Sequence, residues 1–283
     1  MNTEQMAKTL RVFAEEIRLD TLEEFDHLGF GHIGGAMSIV ETLAVLYGHE
    51  MRFDPKNPGW DGRDWLVVSK GHAGPALYAA LSLKGYFPKE MLKTLNQGGT
   101  HLPSHCDRNL TPGVDMTTGS LGQGFSTAIG VALGHQMNGR DNRTYLILGD
   151  GECNEGQVWE GAMFAAHKGL GNLTCFVDAN GQQLDGWTKD VLDMGDLGAK
   201  FEAFGWHTLP VDGHDIGAIL EALEKARAEQ SRPTAVILHT IKGNGVSFAA
   251  GKDGNHHMAF TSEQMAPELQ SARTRLEQAR AAL

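Results

Sequence analysis

The segment GDGECNEGQVWEGAMFAAHKGLGNLTCFVDAN, residues 149–180, decides the fold of this chain. An apolar run at 144–148 precedes the segment, and a second one at 173–178 lies near its end. Between the runs, apolar side chains recur at the spacing of one helix face, at Val158, Ala162, Met163 and Ala166. A strand, a helix and a strand of these lengths form a crossover in which both strands run parallel. The segment therefore predicts an α/β fold built on a parallel sheet.

Apolar runs and helical stretches alternate along the rest of the chain as well. The predicted strands are Trp65–Ser69, Thr144–Leu148, Leu173–Asp178, Thr208–Val211 and Ala235–His239. Such alternation is typical of a parallel sheet with helices packed on both faces. Because the sequence has no internal repeat, low-complexity tract or long linker, we expect residues 1–283 to form one α/β domain.

Both ends of the chain are predicted to be helical. Near the N-terminus, apolar residues at helical spacing lie among many charged ones, at Leu10, Phe13, Ile17 and Leu22. This pattern indicates an amphipathic helix and not the apolar centre of a signal peptide. The sequence TSEQ at 261–264 has the form of a capping box and predicts the start of a C-terminal helix.

The composition limits the class of function. The formal net charge is −11 and no basic stripe offsets it, so binding to nucleic acid is not expected. Cys106, Cys153 and Cys175 are scattered without disulfide or metal-site spacing, which favours a reducing compartment. No run approaches the roughly 20 apolar residues of a membrane span. We therefore expect a cytoplasmic protein without membrane contact.

Polar residues directly follow two of the predicted strands. Asp150 comes after the first strand of the crossover, and Asn180 comes after the second. If these strands are neighbours, their ends lie about 5 Å apart at the carboxyl edge of the sheet, where doubly wound folds bind ligands. A carboxylate and an amide oxygen there could share a Mg²⁺ ion. Gly149 and Gly151 would let backbone N–H groups approach phosphate oxygens.

Each half of this pattern alone would indicate only a tight turn or a loop. Together, with the spacing of 149–180, they resemble the thiamine-diphosphate motif of transketolases, in which GDG is followed by a later asparagine. The resemblance implies that Asp150, Asn180 and the main-chain carbonyl of Gln182 hold a divalent ion, Mg²⁺ or else Ca²⁺ or Mn²⁺, that bridges the diphosphate. It also implies that Gly151 contacts the diphosphate.

Four histidines lie among glycine or proline residues, at His32, His72, His105 and His256. Each one alone would be typical of a loop or a helix cap. In order and context they resemble the histidines of transketolases, which implies roles in proton transfer and substrate binding above the cofactor. Histidine suits this work because its unperturbed pKa of about 6.5 lies near neutral pH. Ser104-His105-Cys106 departs from the family's Gly-His-Pro, and the adjacent His257 leaves two choices for the last position.

Two further stretches are similar to transketolases. The first, TTGSLGQGFSTAIGVALG from Thr117, would alone be a weak signal of an anion-binding loop. The resemblance implies that Gly119 and Leu121 lie against the aminopyrimidine ring, and that His72 and His256 also contact the cofactor. The second stretch, HTIKGNGVSF at 239–248, contains Lys242, which is either a phosphate contact or a solvated charge.

Two acidic residues flank the start of the helix that follows GDG. Glu155 and Glu160 could stabilise this helix through its dipole. In transketolases, the equivalent acids lie near the cofactor, reach the dimer interface and belong to a carboxylate chain that links two active sites. The resemblance thus implies self-association of this chain.

The resemblance covers essentially the whole chain but only the first domain of a transketolase. In that family a second domain binds the pyrimidine and supplies a catalytic glutamate, and 283 residues leave no room for it. The resemblance therefore implies the N-terminal subunit of a split transketolase. Such a subunit would hold thiamine diphosphate against a separate C-terminal, pyrimidine-domain subunit, in an α₂β₂ assembly.

The implied reaction is transfer of a two-carbon ketol unit from a ketose or its phosphate to an aldose or its phosphate, as in pentose phosphate metabolism. His32 and His105 are expected to help deprotonate the donor. His72 and His256 are expected to orient the reacting groups.

Two other functions share part of the pattern. The α subunits of 2-oxo-acid dehydrogenases and decarboxylases carry the same diphosphate motif, and a non-catalytic binding protein could also keep it. The stretches TTGSLGQG, KGHAGPALY and KGNGVSF favour a transketolase over the first alternative. The presence of all four histidines argues against the second, since cofactor storage would not require them.

Overall fold

A five-stranded parallel sheet forms the centre of the fold. The structure is a computed structural model that describes residues 3–283. Its strands are β1 (Phe30–Gly31), β2 (Trp65–Val68), β3 (Thr144–Gly149), β4 (Leu173–Ala179), β5 (Gln182–Gln183), β6 (Gly186–Trp187), β7 (His207–Asp212), β8 (Thr234–His239) and β9 (Met258–Ala259). The large sheet has the order β2-β3-β4-β8-β7, and all neighbours in it are parallel. The predicted α/β fold class is therefore confirmed.

Helices connect the strands and cover the sheet. They are α1 (Thr3–Leu28), α2 (Ile33–Met37), α3 (Val40–Val45), α4 (Gly74–Leu83), α5 (Gln123–Met137), α6 (Gly156–His167), α7 (Thr188–Val191), α8 (Leu197–Ala203), α9 (Ile216–Ala228) and α10 (Ser262–Ala281). Two antiparallel ribbons, β1 with β9 and β5 with β6, lie outside the large sheet.

The crossover predicted from residues 149–180 is formed by β3, α6 and β4. Its register pairs Thr144 with Leu173 and Gly149 with Asp178, so both strands end level at the carboxyl edge. The N–H of Asp150 donates to the carbonyl of Asp178 at 3.2 Å. The polar residues that follow the two strands thus lie at the same edge, as the sequence predicts.

Apolar side chains cover both faces of the large sheet. Along β3, Tyr145 and Ile147 pack into the cluster formed with α1, α3, α4 and α9, whereas Leu146 and Leu148 pack into the cluster formed with α5, α6 and α8. A strand that is buried on both faces has a continuous apolar sequence. This burial explains why the strands could be recognised from the sequence.

The prediction that Met163 shares the buried face of α6 is wrong. Its side chain is 57% exposed, while those of Val158, Ala162 and Ala165 are fully buried. With about 3.6 residues per turn, the row formed by these three residues faces the sheet and position 163 points away from it.

The two terminal helices pack against each other. In α1, Leu10, Ile17 and Leu22 are buried as predicted, and Phe13 is half-buried. The capping box at Thr261 is confirmed, because its side chain accepts the N–H of Gln264 and the Gln264 side chain accepts the N–H of Thr261.

No helix within residues 3–283 combines the length and the apolar character that crossing a bilayer requires. That the chain forms one domain stays a prediction.

Candidate active site

A cavity of about 320 Å³ opens at the carboxyl edge of the sheet, beyond the ends of β3 and β4. Its lining includes many of the residues predicted to form the site, namely His72, Leu121, Asp150, Gly151, Glu155, Asn180, Gln182 and His256. Open parallel sheets bind their ligands at this edge. The fold therefore brings these eight residues to one place.

Asp150 lies at the tip of β3 and is 6% exposed. Its carboxylate accepts N–H bonds from Gly151 at 2.7 Å and from Gly181 at 2.6 Å. The second bond joins the turn after β3 to the turn after β4, so the two strand ends converge. Burial and the neighbouring carboxylate of Asp178 raise the pKa of Asp150 to about 6.

Asn180 is bound to a buried ion pair between Lys70 and Asp178, which the sequence did not reveal. Asp178 is fully buried, and its Oδ2 atom accepts bonds from Lys70 Nζ at 2.6 Å, Ser38 Oγ at 2.7 Å and Asn180 Nδ2 at 2.8 Å. Its other oxygen accepts a bond from the hydroxyl of Thr240. Burial alone would raise the pKa of Asp178, but Lys70 and these donors hold it below its ordinary value. Because the amide nitrogen of Asn180 is bound to Asp178, the orientation of its amide group is fixed.

Gln182 and Lys242 both line the cavity, and Lys242 Nζ donates to the main-chain carbonyl of Gln182 at 3.1 Å. The N–H of Gln182 donates to Asn180 Oδ1 at 3.0 Å. Lys242 is only 3% exposed, so the alternative that it is a charge exposed to solvent is excluded. Burial and the nearby charge of Lys70 lower the pKa of Lys242 to about 8. Whether Lys242 contacts phosphate stays a prediction.

The chemistry of these groups fits a divalent cation. Asp150, Asn180 and Gln182 offer a carboxylate, an amide oxygen and a carbonyl on two adjoining turns, and oxygen ligands of this kind suit Mg²⁺ and Ca²⁺. Burial and the neighbouring carboxylate of Asp178 disfavour the charged form of Asp150, and a cation bound there would offset both. The Gln182 carbonyl keeps a second lone pair besides the one that Lys242 engages.

A metal centre built from side chains alone, of the kind that holds zinc, needs several ligating groups in one place. Over residues 3–283, no three or more His, Cys, Asp or Glu side chains are grouped so that they could hold a metal ion.

The four predicted histidines form one cluster. The ring of His32 lies 5.5 Å from that of His72, 5.2 Å from His105 and 5.4 Å from His256, measured between ring centroids. His72 and His256 are 4.6 Å apart. The structure thus gathers residues from four separate stretches of the sequence, and two of them, His72 and His256, line the cavity. It also adds a fifth member, because the ring of His257 lies 4.6 Å from His32.

All four predicted histidines have a lowered pKa. Burial is the main cause, and neighbouring histidines or lysines add to it. The pKa falls to about 4 for His32 and to about 3 for His256, and it is also lowered for His72 and His105. These imidazoles are therefore neutral at pH 7 and can each donate one hydrogen bond and accept another.

Gly119 lies behind His105. Its φ angle is +140°, which favours glycine, and a Cβ atom there would come within 3.0 Å of the His105 ring. The following Leu121 is 37% exposed and lines the cavity. Glycine at 119 therefore lets this loop approach the histidine cluster closely, whereas contact with a pyrimidine ring stays a prediction for both residues.

Glu152 joins three parts of the site and was missed at the sequence level. Its carboxylate accepts bonds from the Ser69 hydroxyl, from the N–H of Gly122 at 2.8 Å and from the N–H of Gly149 at 3.1 Å. The side chain is 2% exposed, and burial raises its pKa despite these donors. Glu152 therefore fixes the end of β2, the loop before α5 and the GDG turn relative to one another.

The two acids proposed to lie near the cofactor are both exposed. Glu155 lines the cavity and occupies the N-cap of α6, but its side chain does not cap the helix. Glu160 lies one turn further along α6, outside the lining given by residues 3–283. Exposure on one side of the site is what an interface residue would need, and that role stays a prediction for both.

The chain is similar to transketolases along most of its length. A family model described as "Transketolase, thiamine diphosphate binding domain" matches residues 5–277. A 6-deoxy-6-sulfo-D-fructose transketolase subunit from Clostridium sp. (strain MSTE9) is 55% identical over 250 residues, covering 88% of this chain and 91% of that protein. One subunit of the apulose-4-phosphate transketolase from Phocaeicola vulgatus is 34% identical, covering 95% of this chain and 96% of that protein.

Solved structures give the same result. A crystal structure of a transketolase mutant from Pichia stipitis in complex with fructose-6-phosphate matches with a TM-score of 0.86 and 31% identity. The match covers 96% of this chain and 44% of the solved chain.

Proposed function

The chain belongs to the family of transketolase thiamine-diphosphate-binding domains, and from that premise we propose that it is the cofactor-binding subunit of a two-subunit transketolase. Two relatives named as transketolase subunits match it along 91% and 96% of their own length, which supports a separate partner chain. The family match favours this function over the α subunit of a 2-oxo-acid dehydrogenase or decarboxylase. It also leaves a purely cofactor-storing protein without support.

The proposed reaction transfers a two-carbon ketol unit from a ketose to an aldose. One observation carries the proposal: an acid, an amide and a carbonyl converge at the edge of the sheet beside a cluster of histidines. When bound, thiamine diphosphate supplies the nucleophilic carbon and the electron sink that this reaction needs. The protein supplies binding, orientation and proton transfer.

Asp150, Asn180 and the carbonyl of Gln182 would hold Mg²⁺, or Ca²⁺ or Mn²⁺ in its place, and the ion would hold the diphosphate. Gly151 would let the backbone approach that group. Gly119 and Leu121 would lie against the pyrimidine ring, and His72 and His256 would contact the cofactor as well. Glu155 and Glu160 would lie near the cofactor and link two copies of this chain through the interface.

The histidines divide into two proposed roles. His32 and His105 would take up and return protons at the hydroxyl groups of the donor sugar. Because their imidazoles are neutral at pH 7, each has a nitrogen ready to accept a proton. His72 and His256 would orient the reacting groups by hydrogen bonds, and Lys242 donates to the carbonyl near them.

The proposed partner is a C-terminal, pyrimidine-domain subunit, and the proposed assembly is α₂β₂ in the cytoplasm. For the donor, we propose 6-deoxy-6-sulfo-D-fructose as the first sugar to test, since the relative named for that sugar is 55% identical. Sugar phosphates of the pentose phosphate type and apulose-4-phosphate are the next candidates. The Ser104-His105-Cys106 stretch is compatible with a site shaped for a less common sugar.

Reconstitution tests the division between two subunits. The chain would be purified alone and together with a C-terminal transketolase subunit, with thiamine diphosphate, Mg²⁺, each ketose and an aldose acceptor. We expect ketol transfer only in the presence of both subunits, measured by chromatography of the sugar products. Full turnover by the chain alone, or turnover of 2-oxo acids and not of ketoses, would contradict the proposal.

The metal assignment is tested by Asp150→Ala in the assembled enzyme. We expect loss of Mg²⁺-dependent binding of thiamine diphosphate by calorimetry, with an unchanged circular dichroism spectrum. Asp190→Ala, an exposed acid on α7, is the matched control and should bind like the wild type. An unchanged cofactor affinity in Asp150→Ala would reject the assignment.

A further inference from the structure

His257 is an exposed histidine beside the site, and the proposed function assigns no role to it. Its ring packs against His32 at 4.6 Å and against Phe30 at 5.8 Å, measured between centroids. Within residues 3–283, no hydrogen bond engages either of its ring nitrogens. A side chain held by ring contacts alone keeps both nitrogens available to a ligand.

The adjacent histidines point to different parts of the site. His256 is directed inward, because its Nδ1 atom lies 3.1 Å from Lys242 Nζ and its ring contacts His72 in the cavity wall. His257 is directed to the outer side of His32, next to Phe30, which is 37% exposed. His256 therefore lies on the cavity side of the cluster, which we call the floor of the site. His257 lies on the outer side, next to Phe30, which we call its mouth.

The antiparallel ribbon formed by β1 and β9 holds this mouth in place. Phe30 pairs with Ala259 and Gly31 with Met258, so His32 and His257 each lie directly next to the paired segment, on opposite strands. A side chain fixed by a ribbon and by two aromatic rings loses little further freedom on binding a ligand. Such preorganisation is expected of a residue that contacts substrate.

We propose that His257 binds the sugar substrate at the mouth of the site, by a hydrogen bond to a hydroxyl oxygen beyond the two carbons that are transferred. Several free imidazole nitrogens converge there: within residues 3–283, the rings of His32, His72 and His105 also have no hydrogen-bond partner. A chain of sugar hydroxyls, each a donor and an acceptor, matches such an array of imidazole nitrogens. The inference rests on the proposed transketolase function.

The contact predicts a specific kinetic effect. In the assembled enzyme, His257→Ala should raise KM for the ketose about tenfold, since the loss of one hydrogen bond corresponds to roughly that factor. The value of kcat should stay within about twofold, because the hydroxyl is remote from the reacting carbons. His257→Asn, whose amide keeps a donor near the ring position, should recover most of the loss.

Three measurements make the test decisive. In His257→Ala, the affinity for thiamine diphosphate and the association of the two subunits, measured by analytical ultracentrifugation, should equal those of the wild type. The control His49→Ala, which changes an exposed histidine in another part of the fold, should have wild-type kinetics. An unchanged KM in His257→Ala, or a loss of association in its place, would overturn the inference and leave the proposed function standing. A wild-type assembly that performs no ketol transfer would overturn both.

Discussion

Replacing Lys70 by methionine is expected to destabilise the protein by about 3–5 kcal/mol, because the substitution leaves a buried carboxylate without its cation. Lys70 is 2% exposed and Asp178 is fully buried, with their charged atoms 2.6 Å apart. Methionine fills a similar volume, so the loss of charge and not a cavity dominates the effect. The three neutral donors from Ser38, Asn180 and Thr240 remain, but they do not carry the missing charge.

The pH dependence of this loss has a definite sign. In the wild type, the pKa of Asp178 lies below its ordinary value, so its contribution to stability is present above about pH 3.9 and is lost as the pH falls. In Lys70→Met, burial is no longer offset and should raise that pKa. The native variant then binds a proton that the unfolded chain has released. The difference in stability between wild type and variant should therefore increase from pH 5 to pH 8.

Urea unfolding followed by circular dichroism measures this effect. The double variant Lys70→Met/Asp178→Asn, which removes both charges, should be about 1–3 kcal/mol more stable at pH 7 than Lys70→Met alone. In the single variant, Asp178 should also hold the Asn180 side chain less rigidly. The proposed binding of Mg²⁺ and cofactor by the assembled enzyme should therefore weaken. If Lys70→Met lies within about 1 kcal/mol of the wild type at pH 7, or if the double variant gains nothing, the pair does not act as described.

Other predictions concern single groups with unusual surroundings. Within residues 3–283, neither carboxylate oxygen of Glu24 has a hydrogen-bond partner, and its pKa is raised, first by burial and then by Asp20. Glu24→Met should therefore stabilise the protein by about 1–3 kcal/mol at pH 8 and by less at pH 4, in thermal or urea unfolding. His32, whose pKa is lowered to about 4, cannot take up a proton that the unfolded chain binds below about pH 6.5. Relative to the wild type, His32→Gln should therefore gain stability as the pH falls from about 6.5 towards 4, in urea unfolding; the same pH dependence in both proteins would contradict the lowered value. Gly119→Ala adds a Cβ atom at φ +140° within 3.0 Å of the His105 ring, so turnover of the assembled enzyme should fall at least tenfold. The control is Gly130→Ala on α5, where the added Cβ atom would meet no atom of residues 3–283 within 4 Å and turnover should stay unchanged.

The large sheet could be predicted almost residue by residue. The predicted ends of its five strands agree with the structure to within one residue, as for Thr144–Leu148 against β3 and Ala235–His239 against β8. Parallel strands covered on both faces give continuous apolar runs, so their limits are sharp in the sequence. The same argument failed at Met163, because apolar residues on a helix do not reveal which of them faces the sheet and which a free surface.

The interior of the site could be predicted only in part. The GDG turn and the histidine stretches carry a recognisable local pattern, whereas the supporting pairs join residues that are distant in sequence. Lys70 and Asp178 are separated by 108 positions, and Ser69 and Glu152 by 83. Nothing near Lys70 indicates that β2 and β4 lie on either side of β3, and this sheet order is what brings the two charges together. The one available signal was an aspartate inside an otherwise apolar strand, which burial makes costly without a partner.

The distribution of hydrogen bonds separates the floor of the site from its mouth. On the floor, Asp150, Glu152 and Asp178 are each bound by two or more donors and are almost fully buried. Each of these carboxylates joins backbone or side-chain groups from different turns, so this layer is suited to the proposed task of holding a metal and a diphosphate. At the mouth, His32, His105 and His257 are held by ring contacts, and no hydrogen bond within residues 3–283 engages their ring nitrogens. A change at His257 would alter the proposed contact with the sugar at little cost to the fold, whereas the proton transfer proposed for His32 and His105 is common to every donor. Relatives that act on different sugars should therefore differ at position 257 and keep the other two histidines.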